Sequence, residues 1–327
     1  MGGSKHKPPK LGGWGSEQGG LCAFEWAMIV YAVLTLVLML FTYTRLQNPV
    51  SMLWLRVQAV AITLGLWAVY RMVPCRLTML CRLLGQIALL GSWYPDTYEF
   101  NRMMPNLDHV FATWEQQLFG FQPALLFSQA WSSPWVSELL TMGYVSYYPL
   151  MVVVPLFYFF FRKEQFLKVS FVMLASFFLF YVIFIFLPVA GPQYYYLAVG
   201  TDQIAQGIFP NLGNYFETHS EALRSPGWSD GIFYKLLVVA HEAGERPTAA
   251  FPSSHMGIMV VLLCQAWATR NRWFFWSLVP FGVLMFFATF YLQAHYVIDA
   301  IAGVFAGLLM YLLFTALYHL IAPKGKK

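Results

Sequence analysis

The sequence predicts an all-α, polytopic integral membrane bundle of about eight spans. Three observations predict it. Hydrophobic residues make up 59% of the 327 and charged residues only 11%, where a soluble domain carries about 25% charged residues. Eight apolar runs approach the roughly 20 residues a helix needs to cross a bilayer; they cover residues 21–44, 52–73, 77–93, 139–161, 167–189, 254–269, 273–292 and 296–321. Charged residues collect between those runs. The net charge of +5 therefore belongs to loops and not to a nucleic-acid-binding stripe.

Taken in order, residues 1–20 are polar and Gly-rich, with Lys5, Lys7 and Lys10, and are expected to form a disordered cytoplasmic tail. No cleavable signal peptide is evident, and the first apolar run is long enough to be a true span. Residues 21–93 are expected to be N-terminal membrane spans. Arg56 and Arg82 fall inside two of these runs. Each must snorkel, pair with a carboxylate, or mark a misplaced boundary. Residues 94–138 mix aromatics with Asp96, Asp108 and Glu115 and are expected to lie along the outer interface as short helices. Residues 139–321 form the membrane core, interrupted by an outer segment, 190–253. A structureless loop of that length is not expected; lids and binding loops are. Residues 322–327 are a basic cytoplasmic tail. Cys22, Cys75, Cys81 and Cys264 have neither metal nor disulfide spacing and read as small buried hydrophobes.

Charge orients the chain. With the N-terminus inside, eight crossings put Arg71, Arg76, Arg162, Lys163, Lys168, Arg270 and Arg272 in cytoplasmic loops, leaving Arg45, Arg102, Arg224, Lys235 and Arg246 outside. The positive-inside rule favours this arrangement. It places two polar clusters on the non-cytoplasmic side, periplasmic or lumenal.

The first cluster is Pro252-Ser253-Ser254-His255, at the head of the run that follows. Proline and serines before an apolar run signal a helix start. The unpaired first N–H groups and the positive dipole end make such a start an anion site, suited to phosphate. Ser253 or Ser254 would cap the helix or donate to a phosphate oxygen; the plainer alternative is a capped helix with an interfacial histidine. The second cluster, forty residues on, contains His295 and Asp299. Their spacing of four puts both on one helix face. A carboxylate on one imidazole nitrogen leaves the other free to attack phosphorus or to bind metal. A metal would need another strong ligand, for which only His241 and Glu242 are near. Upstream, Gly191-Pro192-Gln193 leads into Tyr194, Tyr195 and Tyr196. Tyr194 and Tyr195 read as substrate contacts or as part of an interfacial aromatic belt.

Phe-Pro-Ser-Ser-His followed by His-Tyr-x-x-Asp resembles the type-2 phosphatidic acid phosphatase superfamily. Within it, the chain resembles the branch of inositol phosphorylceramide and sphingomyelin synthases, most closely over residues 139–321. The resemblance implies a six-helix core and a phosphohistidine intermediate, with neither metal nor cofactor. It implies His295 as nucleophile supported by Asp299, His255 as the acid for the leaving group, and Pro252, Ser253 and Ser254 as part of the phosphate cradle. The chain departs from the phosphatase branch. Val239 stands where that branch has the lysine of its Lys-(six residues)-Arg-Pro motif. Ala288 and Thr289 replace its Ser-Arg, and Ser254 its glycine. Arg246 either restores part of the lost charge as a substrate ligand or is an interfacial arginine.

The function expected is therefore transfer of a phospho-headgroup from a phospholipid donor to a ceramide-like lipid acceptor. The loss of cationic ligands suits a phosphodiester better than a phosphomonoester. The alternatives are a lipid phosphate phosphatase, in which water takes the second step, and a non-catalytic transporter or scaffold. The gathering of polar residues at span ends argues against the last, because transporter sites lie near midplane. A membrane and lipid substrates are implied; nucleic acid is not.

Overall fold

Seven of the eight apolar runs each form one helix and the run at 139–161 forms two, with boundaries shifted where charges pair or proline interrupts. The computed structural model describes residues 19–242 and 244–321, so the expected tails lie outside it except for Gly19 and Gly20. The N-terminal unit is α1 (Ala23–Thr42), α2 (Pro49–Met72) and α3 (Arg76–Asn101). Outside the membrane core run α4 (Asp108–Phe119) and α5 (Pro123–Ala130). The core holds α6 (Pro134–Val145), α7 (Tyr147–Phe161) and α8 (Lys163–Phe186). The outer segment carries α9 (Pro192–Val199), α10 (Thr201–Ala205) and α11 (Ile232–Glu242), and the chain ends with α12 (Ser254–Ala268), α13 (Arg272–Tyr291) and α14 (Val297–Ile321). No strand occurs among the described residues.

Three differences from the expectation have physical causes. First, α3 runs eight residues past its expected end at 93, absorbing the start of the expected interfacial segment. The charges that shorten its apolar run are neutralised: Arg82 pairs with Glu25 of α1 and Arg56 of α2 with Asp96. Pairing removes the penalty that would otherwise keep such groups out of a span. Second, the expected span 139–161 is two helices meeting at 48°. Pro149 has no N–H to give the Val145 carbonyl, and the Ser146 hydroxyl donates to the Gly143 carbonyl at 2.6 Å. Third, α12 has only 15 residues, about 22 Å of helix against a hydrocarbon core of about 30 Å. Among the described residues five helices are long and apolar enough to span, with the bent α6–α7 pair a sixth; α3 and α12 are not in that set. The cysteine expectation holds for Cys22, which is buried, whereas Cys75, Cys81 and Cys264 are half-buried.

α8 is the central helix, with 78% of its most apolar window buried. Against it lie α1, α3, α7, α12 and α14. The closest approach is between α12 and α14, where glycines remove the side chains. A Cβ on Gly303 would collide with the Ser253 carbonyl oxygen, and one on Gly307 with that of Gly257. Two small residues four apart let membrane helices touch backbone to backbone. The Ser253 N–H donates to the Asp299 carbonyl at 3.0 Å. The starts of α12 and α14 are thus locked side by side, with a histidine at each.

Candidate active site

His295 sits in the short turn between α13 and α14, in a frame of backbone bonds. Its N–H donates to the Thr289 carbonyl at 3.1 Å. Its ring Nδ1 lies 2.8 Å from the Ala250 carbonyl oxygen. A carbonyl only accepts, so Nδ1 carries the proton and Nε2 keeps its lone pair. Nε2 lies 3.4 Å from Nδ1 of His255. The tautomer that a nucleophilic imidazole requires is therefore set by a backbone carbonyl. Asp299, expected in that role, stands second. Its Oδ2 is 3.8 Å from His295 Nδ1 and accepts the Tyr296 N–H at 2.8 Å. It caps the start of α14 and places a carboxylate beside the imidazole.

Three further groups hold this turn. Asp108, at the start of α4, accepts from the Ala190 N–H at 2.6 Å, the Gly191 N–H at 2.8 Å and the Tyr296 hydroxyl at 3.1 Å. Glu115, two turns along the same helix, accepts the Val297 N–H at 3.1 Å. Gly191 has φ +96°, and a Cβ there would come 2.7 Å from the Ala294 carbonyl oxygen. Only glycine fits that approach, one residue from His295. α4 thus clamps the turn through two buried carboxylates seven residues apart.

His255 lies in the first turn of α12, with its ring stacked on Tyr144 (centroids 4.4 Å apart) and tilted against Tyr147 (4.5 Å). The break between α6 and α7 presents those two tyrosines from adjacent helix ends. His255 and Ser254 open onto a cavity of about 370 Å³ whose walls are Ile87, Leu90, Met151 and Phe177 of the spans, several tyrosines, and Glu245. Neither lysine nor arginine lines it.

The other expected contacts are divided. Ser253 is buried and accepts the Met256 N–H at 3.4 Å as the cap of α12. Tyr194 is buried and lines a second cavity on the outer side. Tyr195 turns away into the protein and donates to the Pro210 carbonyl at 2.8 Å. Burial of both rings removes them from any lipid-facing belt. Arg246 is exposed, donates to the Glu245 carbonyl at 2.7 Å, and lines neither cavity. His241 and Glu242 line the outer cavity, away from His295. No group of three or more His, Cys, Asp or Glu among the described residues is arranged to hold a metal.

Burial pushes the Glu115 carboxyl up to about 8, against the bond from Val297, with the Asp299 charge adding to the effect. The folded chain thus keeps a proton that the unfolded chain, titrating near 4.5, gives up. Glu115 favours the fold most below pH 4.5, and that contribution falls as pH rises towards 8. Glu115→Gln keeps an acceptor for the Val297 N–H and does not titrate. It is expected to gain on the parent by a few kcal/mol at pH 8 and by much less at pH 5. Thermal unfolding in detergent across that range checks this; a gain independent of pH would refute it.

The sequence reading singled out His255, His295 and Asp299, which the structure brings together, but assigned no role to Asp108, Glu115, Tyr144, Tyr147, Glu245 or the Ala250 carbonyl. Asp108 and Glu115 carried a usable signal, two acids on one helix face in an otherwise apolar neighbourhood. Residues 109–313 match the sequence model of the PAP2 superfamily. Neither a curated protein nor a solved structure matches the chain.

Proposed function

Because the chain belongs to the PAP2 superfamily, we infer that it moves a phospho-headgroup from a phospholipid to a ceramide-like lipid hydroxyl through a phosphohistidine. The observation that carries this reading is the facing pair of imidazoles, with the proton of His295 held on Nδ1 and Nε2 directed at His255. In the first half-reaction the Nε2 lone pair attacks phosphorus and the bond from phosphorus to the diacylglycerol oxygen breaks. His255 gives that oxygen its proton. In the second, the acceptor oxygen attacks phosphorus, its proton goes to His255, and the P–N electron pair returns to His295. Asp299 beside the ring favours the cation formed in between. The amides at the start of α12 face the phosphoryl oxygens.

A cavity with apolar walls and a carboxylate, but neither lysine nor arginine, supports a singly charged phosphodiester over a phosphomonoester. It also supports a lipid hydroxyl over water as acceptor. The basic residues Arg162, Lys163, Arg270 and Arg272 lie at the other ends of the core helices from His255 and His295. By the positive-inside rule, that supports a site on the non-cytoplasmic face.

Purified protein given labelled phosphatidylinositol is expected to form labelled inositol phosphorylceramide only when ceramide is added. Free inositol phosphate as the main product with ceramide present would make it a phosphatase. Turnover is expected to survive chelator; loss that zinc or magnesium restores would overturn the phosphohistidine route.

The pH profile tests the nucleophile directly. Burial holds His295 down to about 4, outweighing the Ala250 carbonyl and the Glu245 charge, both of which favour the proton. A depressed pKa keeps the imidazole neutral and nucleophilic at neutral pH, and protonation silences it only on strong acidification. The acid limb of kcat/KM for phosphoenzyme formation is expected near pH 4. A limb near 6.5 would mean a solvated ring.

A further inference from the structure

Three carboxyl groups converge on Tyr296 and Val297, the two residues that follow His295. Asp299 accepts the Tyr296 N–H, Asp108 the Tyr296 hydroxyl and Glu115 the Val297 N–H. All three are fully buried. Among the described residues neither lysine nor arginine forms an ion pair with any of them. Like charges in one buried site oppose one another, so a group of this kind keeps a proton instead of ionising throughout.

The hydrogen-bond partners decide which member keeps it. Asp108 accepts from four donors: the Ala190 and Gly191 N–H groups, the Tyr296 hydroxyl and the Asn106 amide. Several donors on one carboxylate favour its charge. Asp299 has an amide bond of 2.8 Å and the His295 ring at 3.8 Å, where a negative charge favours the imidazolium formed in the reaction. Glu115 has one longer bond, 3.1 Å, and its Oε2 is buried without a partner. The titratable groups facing it are Asp299 and Tyr296 at the head of α14 and Tyr196 of α9, with Asp108 on its own helix. Neither tyrosine supplies the missing donor: the Tyr296 hydroxyl serves Asp108 and the Tyr196 hydroxyl serves Gln122. Glu115 is thus the member least compensated as an anion, in agreement with its displacement to about 8.

We propose that Glu115 is a positioning residue that acts as the uncharged acid and that alkali disables the site through it. As the acid, it holds the start of α14 through Val297 and leaves Asp299 as the carboxylate charge beside His295. Alkali takes its proton to solvent and adds a buried anion facing Asp299. Repulsion then opens the contact between α4 and the turn, and His295 loses its alignment. The proposal rests on His295 as the nucleophile of the reaction above and adds the residue that sets the alkaline limit of that reaction.

The test uses full-length protein in detergent micelles and an activated phosphodiester, whose leaving group needs no proton from His255. The rate of His295 loading is measured by acid quench and mass spectrometry, and each profile is scaled to its own value at about pH 6.5. The parent is expected to lose about tenfold between pH 7 and 9, as a single proton leaves. Glu115→Gln carries a neutral amide at every pH and should lose less than about twofold over that range. A parent without this limb, or a Glu115→Gln profile that keeps it, would overturn the proposal. Infrared difference spectra against pH follow the proton itself. The parent should show one buried carboxylic acid that disappears as pH rises through about 8. The band should be missing from Glu115→Gln, and a band that persists there would place the proton on another carboxyl. If that variant does not fold, Asp299→Asn serves: with the facing charge removed, the Glu115 band should titrate at lower pH, and an unmoved titration ends the proposal. Absence of an adduct from every donor would instead remove the phosphohistidine reading, and the infrared titration still decides whether Glu115 holds the proton.

Discussion

Replacing His295 with alanine is expected to abolish both the trapped phosphoenzyme and turnover, a loss on the order of 10⁴-fold or more, because in the proposed reaction its Nε2 forms the covalent bond to phosphorus. The geometry sorts its neighbours by what they touch. His255→Ala leaves Nε2 of His295 free to attack and removes the proton for the leaving oxygen. It should still load with phosphate from a donor whose leaving group is activated, while turnover of a natural lipid falls by about 10²–10⁴-fold. Asp299→Asn retains an acceptor for the Tyr296 N–H, which is the shorter of its contacts. The Ala250 carbonyl still holds Nδ1. Its loss is therefore expected nearer the lower end of that range. Acid-quench trapping with an activated phosphodiester ranks the three variants. An adduct on His255 in the His295→Ala protein would reverse the two roles.

Replacing Glu25 with alanine is expected to cost about 3–5 kcal/mol of stability, the usual penalty for stranding one member of a buried ion pair. Arg82 is fully enclosed, as is its partner. Its Nε and one terminal nitrogen donate to the two Glu25 carboxylate oxygens at 2.7 and 2.5 Å. Its guanidinium also lies over the Tyr70 ring at 4.9 Å. Without Glu25 that charge has no matching carboxylate in an apolar bundle. The double variant Glu25→Leu/Arg82→Leu removes both charges and is expected to recover most of the loss, because an apolar pair of similar size is often as stable as a buried salt bridge. Unfolding in detergent, arranged as a double-mutant cycle, measures the coupling. A cost below about 1 kcal/mol for Glu25→Ala would mean that water reaches the arginine.

How legible each feature was depended on the reach of the interaction behind it. The helices were legible as apolar runs because a helix satisfies its own backbone bonds within a segment, and a bilayer demands length and apolarity of that same segment. The end of α3 was not, because Asp96 reads as the end of a span until Arg56, forty residues earlier, is known to meet it. Nor was the α6–α7 break, although Pro149 and Ser146 carried its chemistry; proline within a membrane helix produces a break in one context and a mild bend in another.

The same division runs through the site. The helix face expected for His295 and Asp299 was not found, because His295 lies in the turn before α14; by itself, the sequence determined that two histidines and a carboxylate stand at or beside the heads of two apolar helices, with His295 and Asp299 four residues apart. Those are properties of local spacing. Only the tertiary structure decided which group holds the His295 proton. The Ala250 carbonyl is forty-five residues away in the chain, and its reach depends on how closely α12 and α14 pack through Gly303 and Gly307. It also decided that Asp108 and Glu115 clamp the His295 turn from more than 180 residues away, and that Arg246 is exposed while Glu245 beside it lines both cavities. A backbone carbonyl exists at every residue and carries no mark in the sequence. Its selection as the partner of one imidazole nitrogen is made by packing alone.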